Sequence, residues 1–149
     1  MAERDERPER RQRSAYAFHC DIPTRFGDMD VQAHINNVAI ARFYEEARVQ
    51  FHRARLGRAA APRTDEWSTV VAANNLTFLK EVNYPSTVTV GVAIGRVGRT
   101  SFTVVMGLFV GEDCVGLCET VTVIVAHGRP MELPLEMREQ LAASSFPGS

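Results

Sequence analysis

Two carboxylates, one histidine and two asparagines stand within the ten positions from Asp28 to Asn37, inside the run RFGDMDVQAHINNVAIARFYEEAR that spans Arg25 to Arg48. Carboxylate and imidazole groups can take or give protons, and a polar loop running into a helix places them beside backbone N–H donors. The helix follows directly. Ile40, Phe43, Tyr44, Ala47, Phe51 and Ala54 recur at steps of three or four, which is one face of an amphipathic helix. Arg42, Glu45, Glu46, Arg48 and Arg53 fall mostly off that stripe, with Arg42/Glu46 and Glu45/Arg48 spaced for weak surface pairs. Asn36 or Asn37 suits the N-cap and Gly57 a stop, so the pattern predicts a helix from about Asn37 to Leu56. Its first N–H groups have no intrahelical acceptor and carry the positive end of the dipole, so they favour an anion or a polarised carbonyl oxygen. A site is expected there.

The elements around this helix follow from a change of period. Tyr16 to Thr24 reads as a first strand, edge-like at its Pro23 end. Gly57 to Asp65, rich in Ala with one Pro, reads as a linker flexible enough to be a lid. From Trp67 the period becomes two. Strands are predicted at Val70–Lys80, Thr87–Ile94, Ser101–Val110 and Val115–Val125, with turns at Gly95–Gly98 and Gly111–Asp113. Val88, Val90, Val92 and Ile94 share one face, Phe102, Val104, Met106, Leu108 and Val110 another, and Leu117, Val121 and Val123 a third. The predicted fold is α+β, a five-stranded antiparallel sheet wrapped around one long helix, with a short terminal helix at Pro134–Ala143.

At 149 residues and 45% hydrophobic, the chain can bury one core, and a net charge of −1 argues against nucleic acid or membrane surface as the partner. The mixed-charge segment Met1–Ser14 has no apolar stretch and reads as a disordered tail, followed by one domain over residues 15–143 and a flexible end at 144–149. Without a signal segment or an uninterrupted apolar span, a cytoplasmic location is expected. Cys20, Cys114 and Cys118 have no metal-ligand spacing and are expected to be reduced thiols, which the cytosol allows. Lys80 is the only lysine.

The segment Phe26-Gly27-Asp28-Met29-Asp30, followed by His34-Ile35-Asn36-Asn37 and then Tyr44-Glu45-Glu46-Ala47-Arg48, resembles the 4-hydroxybenzoyl-CoA thioesterase-like branch of the hotdog-fold acyl-CoA thioesterases. The order of strand, helix and four strands is also the hotdog order. The resemblance implies hydrolysis of an acyl-CoA thioester without a cofactor or metal. It implies Asp30 as the catalytic carboxylate, acting as general base on water or as nucleophile, and the N–H of Asn37 as donor to the thioester oxygen. His34 is expected in support. Asn36, Lys80, Arg99, Thr100 and Ser101 are assigned to substrate, the last four toward CoA phosphates, although Arg99–Ser101 also suits a polar hairpin end. Asp28 is read as structural. Many members of that family have Gly directly before the His, and this chain has Ala33, so a positive φ there implies strain. A homodimer or homotetramer is implied, and the small Ala39, Ala41 and Ala47 would let a second helix approach. The alternatives are a hotdog dehydratase or hydratase using His34 with Glu45 or Glu46, and a non-catalytic acyl-CoA binding module.

Overall fold

The computed structural model describes residues 7–57 and 66–149. The apolar stripe of the central run becomes helix α1 (Asn37–Arg55), capped by Asn36, whose Oδ1 accepts the N–H of Val38 at 2.8 Å. Ala39, Ile40, Phe43, Tyr44, Ala47 and Phe51 are buried along it. Ala54 stays exposed, and Leu56, just past the helix, takes its place in the core. Ala39 and Ala47 therefore face their own sheet and leave no close approach for a second helix at those positions. The linker expected to form a lid lies, beyond Gly57, outside the described residues.

Around α1 curls an antiparallel sheet of β1 (Phe18–Pro23), β2 (Ser68–Phe78), β3 (Thr87–Val97), β4 (Ser101–Val110) and β5 (Asp113–Ala126), in the order β1-β3-β4-β5-β2. A two-residue strand, β6 (Arg129–Pro130), adds to β5 and was not expected. The terminal helix forms as α2 (Leu135–Ala142), with Met137 and Leu141 buried. Val88, Val90, Val92 and Ile94 of β3 and Phe102, Val104, Met106 and Leu108 of β4 all point into the core with α1, as their alternation requires.

β5 reverses the expected face. Cys118, Thr120, Thr122 and Ile124 are the deeply buried row, while Val121 and Val123 are only partly buried. Cys118 and Ile124 share the core with Tyr44 and Phe51, so this row faces α1. Two of the polar members share a partner on β2: Thr120 Oγ1 donates to Asn74 Oδ1 at 2.7 Å and Cys118 Sγ to the same oxygen at 3.3 Å, whereas Thr122 Oγ1 has no partner among the described residues. The other face of the sheet is also covered, which is why valines are tolerated on it.

That cover comes from the chain ends. Residues 8–11 and 13–15 form two 3₁₀ turns, and Tyr16, Ala93, Val105, Phe109 and Phe146 make a second, smaller core on the outer face. Gly91 and Gly107 are register partners, and a Cβ on either would fall 2.6 Å or 2.8 Å from atoms of Tyr16, so this glycine pair is the trough in which the ring lies. The Tyr16 hydroxyl donates to the Arg10 carbonyl at 2.6 Å, and the Arg10 guanidinium meets Glu119 at 2.8 Å. From residue 7 onward the segment expected to be a disordered tail is thus docked, because Arg10 reaches Glu119, Arg13 reaches the Gly111 carbonyl and Tyr16 fills the glycine trough. The end expected to be flexible is held as well: Ile94 N–H donates to Ser144 O at 2.8 Å and Phe146 N–H to Ile94 O at 2.6 Å.

Candidate active site

The loop before α1 is a small hairpin that its own polar residues hold in shape. The carboxylate of Asp28 accepts the N–H of Arg25 at 2.8 Å, and its carbonyl accepts the N–H of Asn36 at 2.8 Å. Met29 and Ile35 form an isolated antiparallel bridge. Inside it, Asp30 N–H donates to His34 O at 2.9 Å, while Asp30 Oδ1 accepts from Gln32 N–H at 2.9 Å and more weakly from His34 N–H at 3.4 Å. The tight turn puts Ala33 at φ +62°, the left-handed region where the resembling family carries Gly. Ile35 N–H then donates to Val82 O at 2.9 Å, tying the loop to the segment after β2.

This arrangement opens a cleft of about 390 Å³ lined by Asp30, Gln32, His34, Ile35, Asn37, Ile40 and by Phe78, Leu79, Lys80, Glu81 and Val82. The three residues expected to carry chemistry, Asp30, His34 and Asn37, share it, and Lys80 stands at its wall. Asp28 lines a different groove of about 620 Å³, between β1 and α1, together with Arg25, Arg42 and Glu46. Among the described residues the N–H of Asn37 has no hydrogen-bond acceptor, as befits the first turn of a helix, and the residue is exposed. Oδ1 of Asp30 is occupied by the loop. Oδ2 has no partner among the described residues.

Four of the five expected substrate residues fall elsewhere. Asn36 is committed to capping α1 and does not line the cleft. Lys80 N–H bonds to Val115 O, whereas Thr100 O accepts from Ile124 N–H, so Arg99–Ser101 lies about nine residues, or ~30 Å, farther along β5. Arg99 pairs there with Glu132 at 3.1 Å. One chain does not bring Lys80 and Arg99–Ser101 together. Sequence reasoning also missed Glu81, whose Oε2 lies 3.1 Å from His34 Nε2. Glu45 and Glu46, the expected helpers of His34, are exposed on α1, and Glu46 accepts from Gln50 at 2.8 Å. The only signal for Glu81 was its place beside Lys80, since the contact spans 47 positions of chain. Among the described residues no three His, Cys, Asp or Glu side chains converge as a metal-ligand set.

With the helix N-terminus, the carboxylate and the curled sheet in place, the sequence comparison becomes decisive: residues 24–141 match the model of the thioesterase-like superfamily. The chain belongs to that superfamily. Its matched span contains the whole Asp30 loop, α1 and the sheet, and its α+β architecture is the hotdog thioesterase fold. Similar solved structures include a protein of Pseudomonas aeruginosa strain PAO1, 24% identical with a TM-score of 0.81 over 93% of this chain and 98% of that one. A second Pseudomonas aeruginosa protein, proposed to be a thioesterase, is 32% identical with a TM-score of 0.74, covering 83% and 97%. A thioesterase of Thermus thermophilus, solved with coenzyme A and zinc, is 24% identical with a TM-score of 0.76, covering 87% and 94%. No curated protein matches the chain. Among the described residues of this thioesterase-like chain, no helix is long and apolar enough to cross a membrane.

Proposed function

We propose that this chain hydrolyses an acyl-CoA thioester to a free acid and CoA in the cleft at the N-terminus of α1. The observation that carries the reading is the convergence of Asp30, His34 and the acceptor-free N–H of Asn37 on one cleft. Hydrolysis of a thioester passes through a tetrahedral oxyanion, which needs a preorganised donor and an attacking or water-activating group. The Asn37 N–H, backed by the helix dipole, is the donor. Asp30 Oδ2 is the second group, as base on water or as nucleophile. His34, steadied by Glu81, supports the loop's polar wall, and Lys80, which is exposed and 3.7 Å from Asp113, supplies positive charge for the anionic part of CoA. The likeness to a thioesterase solved with coenzyme A supports the CoA part of this reading.

The outer edge of the sheet supports a homodimer or homotetramer, with the cytoplasm as its proposed location. β2 is an 11-residue edge strand exposed on both faces, with Val70 and Val71 open to solvent, and such an edge is a template for pairing with another copy. The His34–Glu81 pair favours one rival, a hydratase or dehydratase on enoyl- or hydroxyacyl-CoA. A screen of aromatic, short-chain and long-chain acyl-CoAs with a thiol-trapping reagent separates the two. Release of free thiol supports hydrolysis, loss of enoyl-CoA absorbance without thiol supports hydration, and binding without turnover supports a carrier or sensor.

A further inference from the structure

Tyr44 lies seven residues beyond Asn37 on the same stripe of α1, so its Cα is ~10 Å along the axis from the proposed oxyanion donor. Ile40, between them, lines the cleft. Side chains on a helix lean toward its N-terminus, which brings the Tyr44 ring back toward the cleft. The residue is 1% exposed, and its hydroxyl has no hydrogen-bond partner among the described residues. Buried hydroxyls are normally paired, so an unpaired one calls for an explanation. Burial pushes the phenol's pKa well above its usual value, so the group stays a neutral donor at physiological pH.

The place of that hydroxyl is defined by Gly116 of β5. A Cβ there would stand 2.7 Å from the Tyr44 oxygen and 3.2 Å from Thr77 O, so the hydroxyl occupies the notch a side chain would fill. Gly116 is the register partner of Phe78, and cross-strand partners project from the same face of a sheet. Phe78 itself lines the cleft and is 48% exposed, so its ring can move without opening the core. The unpaired hydroxyl therefore lies on the face of the sheet from which Phe78, a wall of the cleft, projects one strand away.

We propose that Tyr44 is the specificity-determining residue of the acyl subsite, its hydroxyl selecting acyl groups that carry an oxygen, hydroxyl or carbonyl, at the end remote from the thioester. This rests on the hydrolysis reading above. Phe78 is the movable wall between the cleft and this donor. An acyl group too short to pass Phe78 cannot meet it, and one ending in a methyl group leaves the hydroxyl unpaired.

The test uses matched pairs in which a terminal hydroxyl replaces a terminal methyl, 5-hydroxypentanoyl-CoA with hexanoyl-CoA and 6-hydroxyhexanoyl-CoA with heptanoyl-CoA, on the parent protein and on Tyr44→Phe. The parent should prefer the hydroxylated member of at least one pair by ~10-fold or more in kcat/KM, and Tyr44→Phe should shrink that preference to within ~2-fold while keeping turnover of the methyl member. Thermal unfolding of Tyr44→Phe should be unchanged or raised, since only an unpaired hydroxyl is removed. Hydrolysis of both members without a preference, a preference that survives Tyr44→Phe, or a loss of several degrees in Tm would each overturn the assignment of Tyr44 and leave hydrolysis standing. No thiol release from any acyl-CoA overturns the hydrolysis reading and this inference together.

Discussion

Ala33 shows how a single residue can be read from both ends. Its φ of +62° carries a Cβ into a region that disfavours side chains, in a loop whose shape is dictated by four hydrogen bonds to Asp30 and His34. Ala33→Gly should therefore stabilise the protein by ~1 kcal/mol, a rise in Tm of a few degrees, with turnover retained. A lower Tm would mean the loop holds Ala33 without strain. His52 gives a pH dependence. Burial, and next the charge of Arg48, lower its pKa from 6.5 to about 4. The fold thus binds it neutral, and its contribution is fully present above pH 6.5 and lost as pH falls toward 4. That displacement corresponds to ~3 kcal/mol. In a melting series across that window, His52→Leu should flatten the acid loss of Tm, and an unchanged slope would place the acid sensitivity elsewhere. The site's residue types were legible because Asp-x-Asp, His and Asn cluster in sequence. Glu81 was not, because its approach to His34 depends on where β2 ends.

Periodicity made the elements legible and their surroundings much less so. α1 and β4 fall where their spacing put them, since an apolar stripe must meet a core. β5 reversed because alternation says that two faces differ, not which one meets the helix. Cys118 and Thr120 of its buried row meet Asn74, a partner on another strand that no local pattern announces. The glycine trough beneath Tyr16 is equally silent in sequence. Gly91→Ala should be destabilising by ~2 kcal/mol or more, because its Cβ would meet ring carbons of Tyr16 that Phe109 and Phe146 pin edge-on. Chemical denaturation measures it, and a parent-like midpoint would show that the docked segment moves aside freely.

For the molecule as a whole, the predicted architecture is the one observed, and residues on both sides of the expected 15–143 span pack against the sheet. Charge composition made the N-terminal segment look solvated, yet Arg10 and Tyr16 fasten it to the outer sheet, and Phe146 closes the other end over β3. The separation of Lys80 from Arg99–Ser101 belongs to this scale too. Turn composition marks a hairpin end without saying which end of the sheet it occupies, so a CoA contact from both segments requires two chains. Sedimentation should give a dimer or tetramer, and Val71→Lys on the exposed edge of β2 should shift it toward monomer with a parallel loss of activity. Full activity in a monomeric variant would remove the second chain from the site.

The central claim is that Asp30 Oδ2 acts on a thioester whose oxygen is held at the start of α1. Asn in place of Asp30 can keep the Oδ1 bonds to Gln32 and His34 through its amide oxygen, so the substitution removes the carboxylate's charge without removing the loop's support. The direct measurement is kcat for thiol release by the parent and Asp30→Asn on the best acyl-CoA substrate, with Tm measured on both. A drop of at least ~10²-fold at unchanged Tm is predicted, whereas equal turnover by a folded Asp30→Asn protein would contradict the account.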